Sequence, residues 1–484
     1  MSTDAEQGLS ETSQAKMTTA SSVDVNDIFQ DEFIEEPDGI DGKSTRFQAI
    51  FNFINSIVGA GIIGLPFAIK ECGFFMGIIL LIFVAVITQY SVGLLIHVGH
   101  HYKVFNYTGL VGEILGENGR FIVGVSMLLF AVGAMCAYMI IIGDTVTRAF
   151  YQADDHSVLK SRYFIIPLFS ALIILPVSCL RKMSSLSWSS LISITADFVL
   201  VVTVLFASSD AAKNSIYWDN NTGEKVIGIK STNDPDAFAF GRSELFGGLG
   251  AMSFAFVCHH STFTVHNSMK ERTEENWAFV SKTSLATALF ACLTLALAGY
   301  LSFFQFVQAD VLNNFGGTAA ITLARILLAV TMILTYPMEM FVARKVLHAL
   351  IYGPTIPITI HRHYVLTGLL FVFTLSVGMA TDDLGFVLEF TGAISASIIG
   401  YIVPPLLYMN TPRFLNSESK YEKMKVYGLI IFGVISMIAG SITAIVDVAT
   451  NADECGYKPL ELNSQQNVHT VIYQNCSSSS IQSN

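Results

Sequence analysis

Three glycines and a proline interrupt the first long apolar stretch of the chain. Gly59, Gly61 and Gly64 are followed by Pro66 within residues 52–73. Each glycine costs about 1 kcal/mol relative to alanine in a helix interior, so the stretch is a poor uninterrupted helix. In lipid, backbone groups freed by such a break are tolerated only where they line a cavity or find protein partners. The pattern indicates a binding site built from backbone groups, and close helix packing is the alternative.

A second interruption lies near the middle of the chain, in residues 247–262. Gly247, Gly248 and Gly250 open it, and two adjacent histidines follow, then Ser and Thr. Two interrupted segments at corresponding positions of two halves are typical of secondary transporters with inverted repeats. Imidazole titrates near neutral pH, and only one of two adjacent side chains can face a pocket. His260 is therefore the candidate for ion coupling in this segment.

Ionisable side chains inside apolar segments are costly in hydrocarbon and mark candidate ion or proton sites. Asp197 lies deep in the segment 185–208, where it is predicted either to carry a coupling proton or to be paired structurally. Structural pairing, with Arg325 or with a cation outside the bilayer, is the favoured interpretation for Glu339 and Glu389.

The composition identifies a polytopic membrane protein. Apolar residues make up 52% and charged residues 13% of the 484 residues, whereas soluble domains carry about 25% charged residues. No Gly-rich phosphate loop and no nucleophile–base arrangement is recognisable, so the sequence predicts neither an ATPase nor another enzyme. The cysteines lack metal-ligand spacing, and no basic patch suggests nucleic acid.

The apolar runs predict eleven membrane-spanning helices, each long enough for a bilayer. They form a first repeat of about 47–208, a second repeat of about 244–409 and an eleventh helix at 426–449. The predicted spans are 47–70, 74–99, 121–147, 163–180, 185–208, 244–266, 278–304, 318–342, 364–380, 385–409 and 426–449. The transporter domain is therefore predicted at 44–450, between a tail of residues 1–43 and a polar lumenal tail of residues 451–484.

Charge sets the predicted orientation. Seventeen lysines and arginines fall on the side of the N-terminus and nine on the other, which places the N-terminus in the cytosol and the C-terminus in the lumen. Glycosylation sequons at Asn220 and Asn475 then face the lumen. Cys455 and Cys476 could form a disulfide if the C-terminal tail faces an oxidising compartment.

The N-terminal tail carries nearly all of the net charge. Residues 1–42 hold eleven acidic residues and one lysine, or −10 of the total −11. The tail has no apolar core of a signal peptide and is predicted to be a disordered cytosolic segment. Inert solubilisation is favoured over a regulatory or sorting role.

The two interrupted segments carry a resemblance to a known family. Residues 55–66 read Asn-Ser-Ile-Val-Gly-Ala-Gly-Ile-Ile-Gly-Leu-Pro, and residues 254–260 read Phe-Ala-Phe-Val-Cys-His-His. They resemble the amino acid/auxin permease family, especially the fungal vacuolar and the sodium-coupled neutral amino acid transporters. Over residues 44–450 the resemblance implies an all-α polytopic protein of the APC superfamily. That fold has LeuT-like inverted five-helix repeats, broken first and sixth helices and eleven transmembrane helices.

The resemblance also implies an amino acid as the substrate. Free amides and the positive end of a half-helix suit a carboxylate, and we expect these from Gly59, Ala60 and Gly61. Backbone carbonyls would accept from the ammonium group, at Ser56, Phe254, Ala255 and Phe256. No cofactor is expected. In sodium-coupled relatives the positions of Asn55 and Thr335 contribute to a sodium site, but protons are favoured here because the fungal vacuolar relatives are proton-driven.

The sequence therefore predicts a secondary active transporter that exports amino acids from the vacuole to the cytosol by alternating access. A sodium-coupled symporter and an amino acid sensor with little net transport are the alternatives. The vacuolar membrane is favoured over the endoplasmic reticulum and the plasma membrane. The expected partners are the amino acid and the lipid bilayer, and a monomer is expected.

Overall fold

The helices of this chain follow from its apolar composition, because a segment in hydrocarbon must satisfy its backbone hydrogen bonds internally. The computed structural model describes residues 33–34, 44–149, 162–179, 187–214, 216–219, 224–227, 237–315, 318–354, 356–451, 458–460 and 472–474. Within these residues the chain is mainly α-helical, with three two-stranded antiparallel sheets.

The α-helices are numbered in chain order. They are α1 (Arg46–Ile57), α2 (Gly61–Cys72), α3 (Phe74–Tyr102), α4 (Tyr107–Ala149), α5 (Arg162–Phe169), α6 (Leu175–Ser178), α7 (Ser187–Asn214), α8 (Leu245–Phe256), α9 (His259–Ser268), α10 (Glu274–Phe303), α11 (Ala319–Tyr352), α12 (Ile360–Ala380), α13 (Leu384–Thr391), α14 (Val403–Met409), α15 (Pro412–Leu415) and α16 (Lys420–Asn451). Two π-helical segments join α5 to α6 and α13 to α14, at Ser170–Ile174 and Gly392–Ile402. Two 3₁₀ turns, Phe304–Phe306 and Val311–Asn314, follow α10.

A multi-pass membrane protein is confirmed. Among the described residues, eight helices are long and apolar enough to cross a membrane, and the bent pair α1–α2 makes nine. The fourth predicted span corresponds to α5, the π-helical segment and α6. The sixth corresponds to α8 and α9, of 12 and 10 residues. The count of eleven spans and the repeat boundaries remain predictions.

Polar caps and a glycine fix the ends of the first broken helix. Thr45 accepts a hydrogen bond from the amide of Gln48, whose side chain accepts one from the amide of Thr45. This capping box begins α1. At the other end Gly73, with φ +83°, stops α2 and leads directly into α3, a conformation that glycine adopts at little cost. The break between α1 and α2 is therefore held between two fixed ends.

Helix packing divides much of the bundle into two groups. The broken-helix group comprises α1, α2, α8, α9 and α10, in which α2 packs along α8 and α10 packs against α1 and α2. The flanking group comprises α4, α11 and α12, with extensive contact between α4 and α11. Helix α7 lies between the groups and contacts both α10 and α11.

Backbone hydrogen bonds tie the outer ends of the two broken helices together. The amide of Ser44 donates to the carbonyl of Ser268 at 2.9 Å, and the amide of Lys270 donates to the carbonyl of Ser44 at 3.1 Å. Arg46 and Glu271 add an exposed ion pair at 3.4 Å, a kind of contact that contributes at most about 1 kcal/mol. The start of α1 and the end of α9 are thus joined mainly through the backbone.

The strands lie outside the helical bundle. β1 (Phe33–Ile34) belongs to the acidic tail and pairs with β4 (Ile358–Thr359), which precedes α12. β2 (Ile216–Asp219) pairs with β3 (Glu224–Ile227), and β5 (Lys458–Leu460) pairs with β6 (Ile472–Gln474). β2 also contacts β6, so the segment after α7 and the chain after α16 meet. The rest of the tail 1–43 and the modification candidates lie outside the described residues; these candidates are Asn220, Asn475, Cys455 and Cys476.

Glycines let α8 approach its neighbours closely. A Cβ atom at Gly248 would lie 2.6 Å from the carbonyl oxygen of Ala68 on α2. A Cβ atom at Gly250 would lie 2.6 Å from the carbonyl oxygen of Glu389 on α13. Both distances are too short for any side chain, so these glycines set the spacing of the helices in the way small residues do in membrane bundles.

We expect Gly250→Ala to destabilise the fold by about 1–3 kcal/mol, because the new methyl group overpacks a backbone contact. The matched control is Gly93→Ala, since a Cβ atom at Gly93 has no neighbour within 4 Å. Thermal unfolding of the two purified variants in detergent measures the difference. Equal melting temperatures for both variants would contradict this account of α8 packing.

Candidate functional site at the helix breaks

The first break spans residues 58–60, and the helices on either side of it are bent by 50°. The amide of Val58 still closes α1 on the carbonyl of Ile54 at 2.8 Å. The next backbone bond runs from the amide of Ile62 to the carbonyl of Gly59 at 3.4 Å. The amides of residues 59–61 stand at the start of a new half-helix, where N–H groups have no helical acceptor. The structure thus places the predicted carboxylate donors at a helix N-terminus.

The second break lies at Val257 and Cys258, between α8 and α9. Val257 has an extended backbone and its amide closes α8 on Ser253 at 3.0 Å. The carbonyls of residues 254–256 therefore belong to the last turn of α8, where carbonyl groups lack intrahelical partners. These are the predicted acceptors for an ammonium group.

The two breaks meet directly. A Cβ atom at Gly61 would lie 2.5 Å from the Cα atom of Ala255, so the first turn of α2 touches the last turn of α8. Gly61 is therefore required for close packing, which was the alternative interpretation of this glycine. Gly59 differs, because a Cβ atom there would lie 3.0 Å from the hydroxyl oxygen of Tyr138 on α4. The first break therefore lies between α8, which it contacts through Gly61, and Tyr138 of α4, which it approaches at Gly59.

Aromatic side chains border this region. The ring of Phe130 on α4 lies 5.2 Å from the ring of Phe254 on α8 and 4.9 Å from the imidazole of His260, between centroids. All three side chains are buried. The polar backbone groups of the breaks are thus flanked by an apolar wall.

The adjacent histidines point to different partners. The Nε2 atom of His259 lies 3.0 Å from the hydroxyl of Ser91 on α3. The Nε2 atom of His260 lies 3.2 Å from a carboxylate oxygen of Glu339 on α11. The prediction that Glu339 pairs with Arg325 is wrong, because the partner of Glu339 is His260. The guanidinium group of Arg325 donates to the carbonyls of residues 312 and 315, because the turn after α10 exposes those carbonyls close to it.

Asp197 is buried on α7, with 4% of its surface exposed. Neither carboxylate oxygen has a hydrogen-bond partner among the described residues, although the side chain of Thr331 on α11 lies nearby. The hydroxyl group of Tyr138 is within electrostatic reach of both Asp197 and Glu339. The carboxylates of Asp197 and Glu339 therefore both act electrostatically on Tyr138 of α4.

The sodium-site candidates lie along one helix contact. The side-chain amide of Asn55 at the end of α1 donates to the sulfur of Met338 on α11 at 3.6 Å. Thr335 lies one turn earlier on α11, and its hydroxyl donates to the carbonyl of Thr331 at 2.8 Å. Ser56 bonds within its own helix, from its hydroxyl to the carbonyl of Asn52 at 3.2 Å. Asn55 thus contacts α11 about one turn from Thr335.

Sequence reasoning missed Tyr138, Phe130 and Met338. The helices α4 and α11 have apolar residues on all sides, so no hydrophobic period shows which face meets the breaks. The glycine pattern revealed the broken helices but not the helices that cover them.

The fold defines a class of protein, a multi-pass membrane protein in which two interrupted helices lie against each other, an arrangement typical of secondary transporters. The chain belongs to the family described as transmembrane amino acid transporter protein, which it matches over residues 42–446. The expected family is therefore confirmed, and the protein is a member of a transporter family rather than an enzyme.

Two curated relatives cover most of the chain. A Rattus norvegicus protein with the provisional name sodium-coupled neutral amino acid transporter 11 is 32% identical over 420 residues, 86% of this chain and 87% of its own. Vacuolar amino acid transporter 2 of Saccharomyces cerevisiae is 30% identical over 444 residues, 89% of this chain and 88% of its own.

A solved structure supports the fold. The substrate-bound outward-open state of a Na⁺-coupled sialic acid symporter is similar to this structure with a TM-score of 0.53. The match covers 86% of this chain and 92% of the symporter, at 12% sequence identity. At this identity the likeness concerns the fold alone.

We expect Gly59→Ala to weaken amino acid binding about tenfold, because the methyl group would fill space between the first break and Tyr138. That loss corresponds to about 1.4 kcal/mol. Binding is measured as the shift in melting temperature with increasing concentrations of amino acid, and Gly93→Ala serves as the control. Unchanged binding by Gly59→Ala would show that the substrate does not approach this glycine.

Proposed function

We propose that this protein carries amino acids from the lumen of an endomembrane compartment, the vacuole, to the cytosol by alternating access, together with protons. The observation that supports this proposal best is the contact of the two helix breaks at Gly61 and Ala255 in a member of an amino acid transporter family. The direct contact lets one small ligand touch both breaks.

The breaks match the two charged ends of an amino acid. Amides at the N-terminus of α2 suit the carboxylate, because the half-helix dipole and the free N–H groups both favour an anion. The last carbonyls of α8 suit the ammonium group, since they lie at the negative end of a half-helix. The amino acid is then oriented by the opposite charges of the two helix ends, the amides of α2 and the carbonyls of α8, and no charged side chain is needed.

The apolar wall favours an uncharged substrate side chain. Phe130 and Phe254 lie next to the breaks, and a charged group placed against them would lose its hydration without a partner. Neutral amino acids are therefore the proposed substrate class, as the name of the rat relative also suggests for that protein.

Alternating access would move the broken-helix group against the flanking group. The first group is tied together by the contact of α2 with α8 and by the backbone bonds at Ser44. The second group is built on the contact of α4 with α11. The substrate region lies where the two groups meet, which is where motion between them would expose it to one side and then to the other.

Protons are the proposed coupling ion, with Asp197 and His260 as the candidate residues. Both are buried beside the breaks, and buried ionisable groups in membranes mark proton and ion pathways. The vacuolar localisation of the yeast relative, given in its name, supports a compartment with an acidic lumen. The proposed orientation has a cytosolic N-terminus and a lumenal C-terminus.

Sodium coupling is the second candidate, because Asn55 contacts α11 about one turn from Thr335. Side-chain oxygens of this kind suit a hard cation, and the rat relative is named for sodium coupling. The two coupling ions differ in the gradient that drives transport.

Purified protein in lipid vesicles distinguishes these functions. We expect labelled neutral amino acids to accumulate when the receiving side is alkaline, up to about tenfold per pH unit if one proton moves with each amino acid, because one pH unit corresponds to about 1.36 kcal/mol. A sodium gradient at equal pH on both sides is the matched arm. If only a sodium gradient drives accumulation, sodium coupling replaces the proposed proton coupling. If neither gradient affects accumulation, the protein is not an ion-coupled carrier.

Removing residues 1–42 tests the sensor alternative. We expect the truncated protein to transport at a rate similar to that of the full chain, because the helix breaks lie after this tail. Tail strand β1 pairs only with β4 among the described strands. A protein that binds amino acids equally well with and without the tail, but shows no flux in either form, would favour the sensor.

A further inference from the structure

A buried acid–base pair connects the two helix groups at the second break. His260 lies in the first turn of α9, and Glu339 lies on α11, two residues after Pro337. Their side chains are 3% and 9% exposed, and the Nε2 and Oε1 atoms are 3.2 Å apart. We propose that this pair holds the coupling proton and that Glu339 makes transport depend on the pH gradient. The inference rests on the proposed proton-coupled function.

The pair responds to one proton by changing the strength of its own hydrogen bond. With the proton bound, an imidazolium group faces a carboxylate and the pair is neutral overall. Without it, a neutral imidazole donates to the carboxylate and one buried negative charge remains uncompensated, which costs several kcal/mol. Charge-assisted hydrogen bonds are roughly twice as strong as neutral ones. Proton binding therefore favours the arrangement in which α9 stays against α11.

An amino acid bound at the breaks favours the same arrangement. Its two charged ends would contact α2 and α8 beside Tyr138 of α4, so the ligand also bridges the broken-helix group and the flanking group. Two ligands that stabilise one conformation bind cooperatively. The pair thus predicts that proton and amino acid cross together, which is symport rather than exchange.

The surroundings leave the pair able to exchange its proton. The Nδ1 atom of His260 and the Oε2 atom of Glu339 are buried without a hydrogen-bond partner among the described residues. The titratable groups next to the pair are His259 on α9, which interacts with His260, and Tyr138 on α4, which interacts with Glu339 and also with Asp197 of α7. His259 is already bonded to Ser91. Each member of the pair therefore keeps one buried polar atom with which a ligand or a water molecule that reached the pair could form a hydrogen bond.

Asp197 is the competing proton site, and its geometry differs. It has no basic partner among its described contacts, and the polar side chain next to it is that of Thr331 on α11. Protonation of Asp197 removes a charge but alters no ion pair between the helix groups. The His260–Glu339 pair is the stronger assignment because its hydrogen bond crosses from one group to the other.

The test compares three variants of the full chain in lipid vesicles: Glu339→Gln, Asp197→Asn and Glu389→Gln. Glu389→Gln is the matched control, since Glu389 is also a buried glutamate but lies against Gly247 at the other end of α8. Two rates are measured for labelled neutral amino acids: accumulation driven by a pH gradient, and counterflow at equal pH.

We expect the ratio of accumulation to counterflow to fall at least about tenfold in Glu339→Gln, within the range of coupling between two sites. We expect it to stay at the wild-type value in Glu389→Gln.

Each outcome is decisive for one of the two proposals. A wild-type ratio in Glu339→Gln overturns the assignment of the pair, and a loss confined to Asp197→Asn transfers the proton to Asp197 while the proposed function stands. If accumulation by the wild-type protein does not depend on the pH gradient, both the proposed proton coupling and the assignment of the pair are wrong. Should Glu339→Gln lose counterflow as well, Glu339→Asp supplies the second variant. If Glu339→Asp restores counterflow and its dependence on pH is shifted, the result supports the assignment of the proton to the His260–Glu339 pair. If counterflow returns with an unshifted pH dependence, the assignment is overturned.

Discussion

A backbone N–H or C=O group in hydrocarbon must find a partner, and each group that fails to do so costs several kcal/mol. Two helices of this protein are nevertheless broken midway, at residues 58–60 and at Val257–Cys258. The breaks persist because they lie against one another inside the bundle, where Gly61 touches Ala255. The free groups are thus kept from lipid and are available to a polar ligand.

This requirement also explains where the buried polar side chains lie. His260 lies on α9 directly after the second break, Glu339 lies on α11, which packs along α4, and Asp197 lies on α7, which packs against α11. His259 bonds Ser91, whose hydroxyl also bonds the carbonyl of Gly400 in the long π-helical segment. The π-helical geometry displaces carbonyls from regular partners, and side chains from neighbouring helices satisfy them. Irregular backbone and buried polar groups therefore occur together, each supplying partners for the other.

The sequence predicted the broken helices, since glycine in an apolar run opposes a regular helix wherever the chain folds. It also predicted that Gly59 and Gly61 both belong to the first helix break, but not that the two glycines have different roles. Gly61 permits a backbone contact with α8, while Gly59 faces Tyr138. That distinction depends on which helices pack beside the break. The partner of Glu339 was missed for the same reason, because α11 is apolar around its circumference and its facing residues are set by tertiary packing.

The backbone bonds between Ser44 and the segment 268–270 have a mechanical consequence. They use no side-chain atoms, so ordinary substitutions at these three positions leave the connection in place, and only removal of an amide donor would cut it. The chain that precedes Ser44 is the acidic tail. A force applied to that tail would reach α1 and α9 together, because the two backbone hydrogen bonds of Ser44 join the start of α1 to the end of α9. The residue that directly follows the tail region thus joins both broken helices through its backbone.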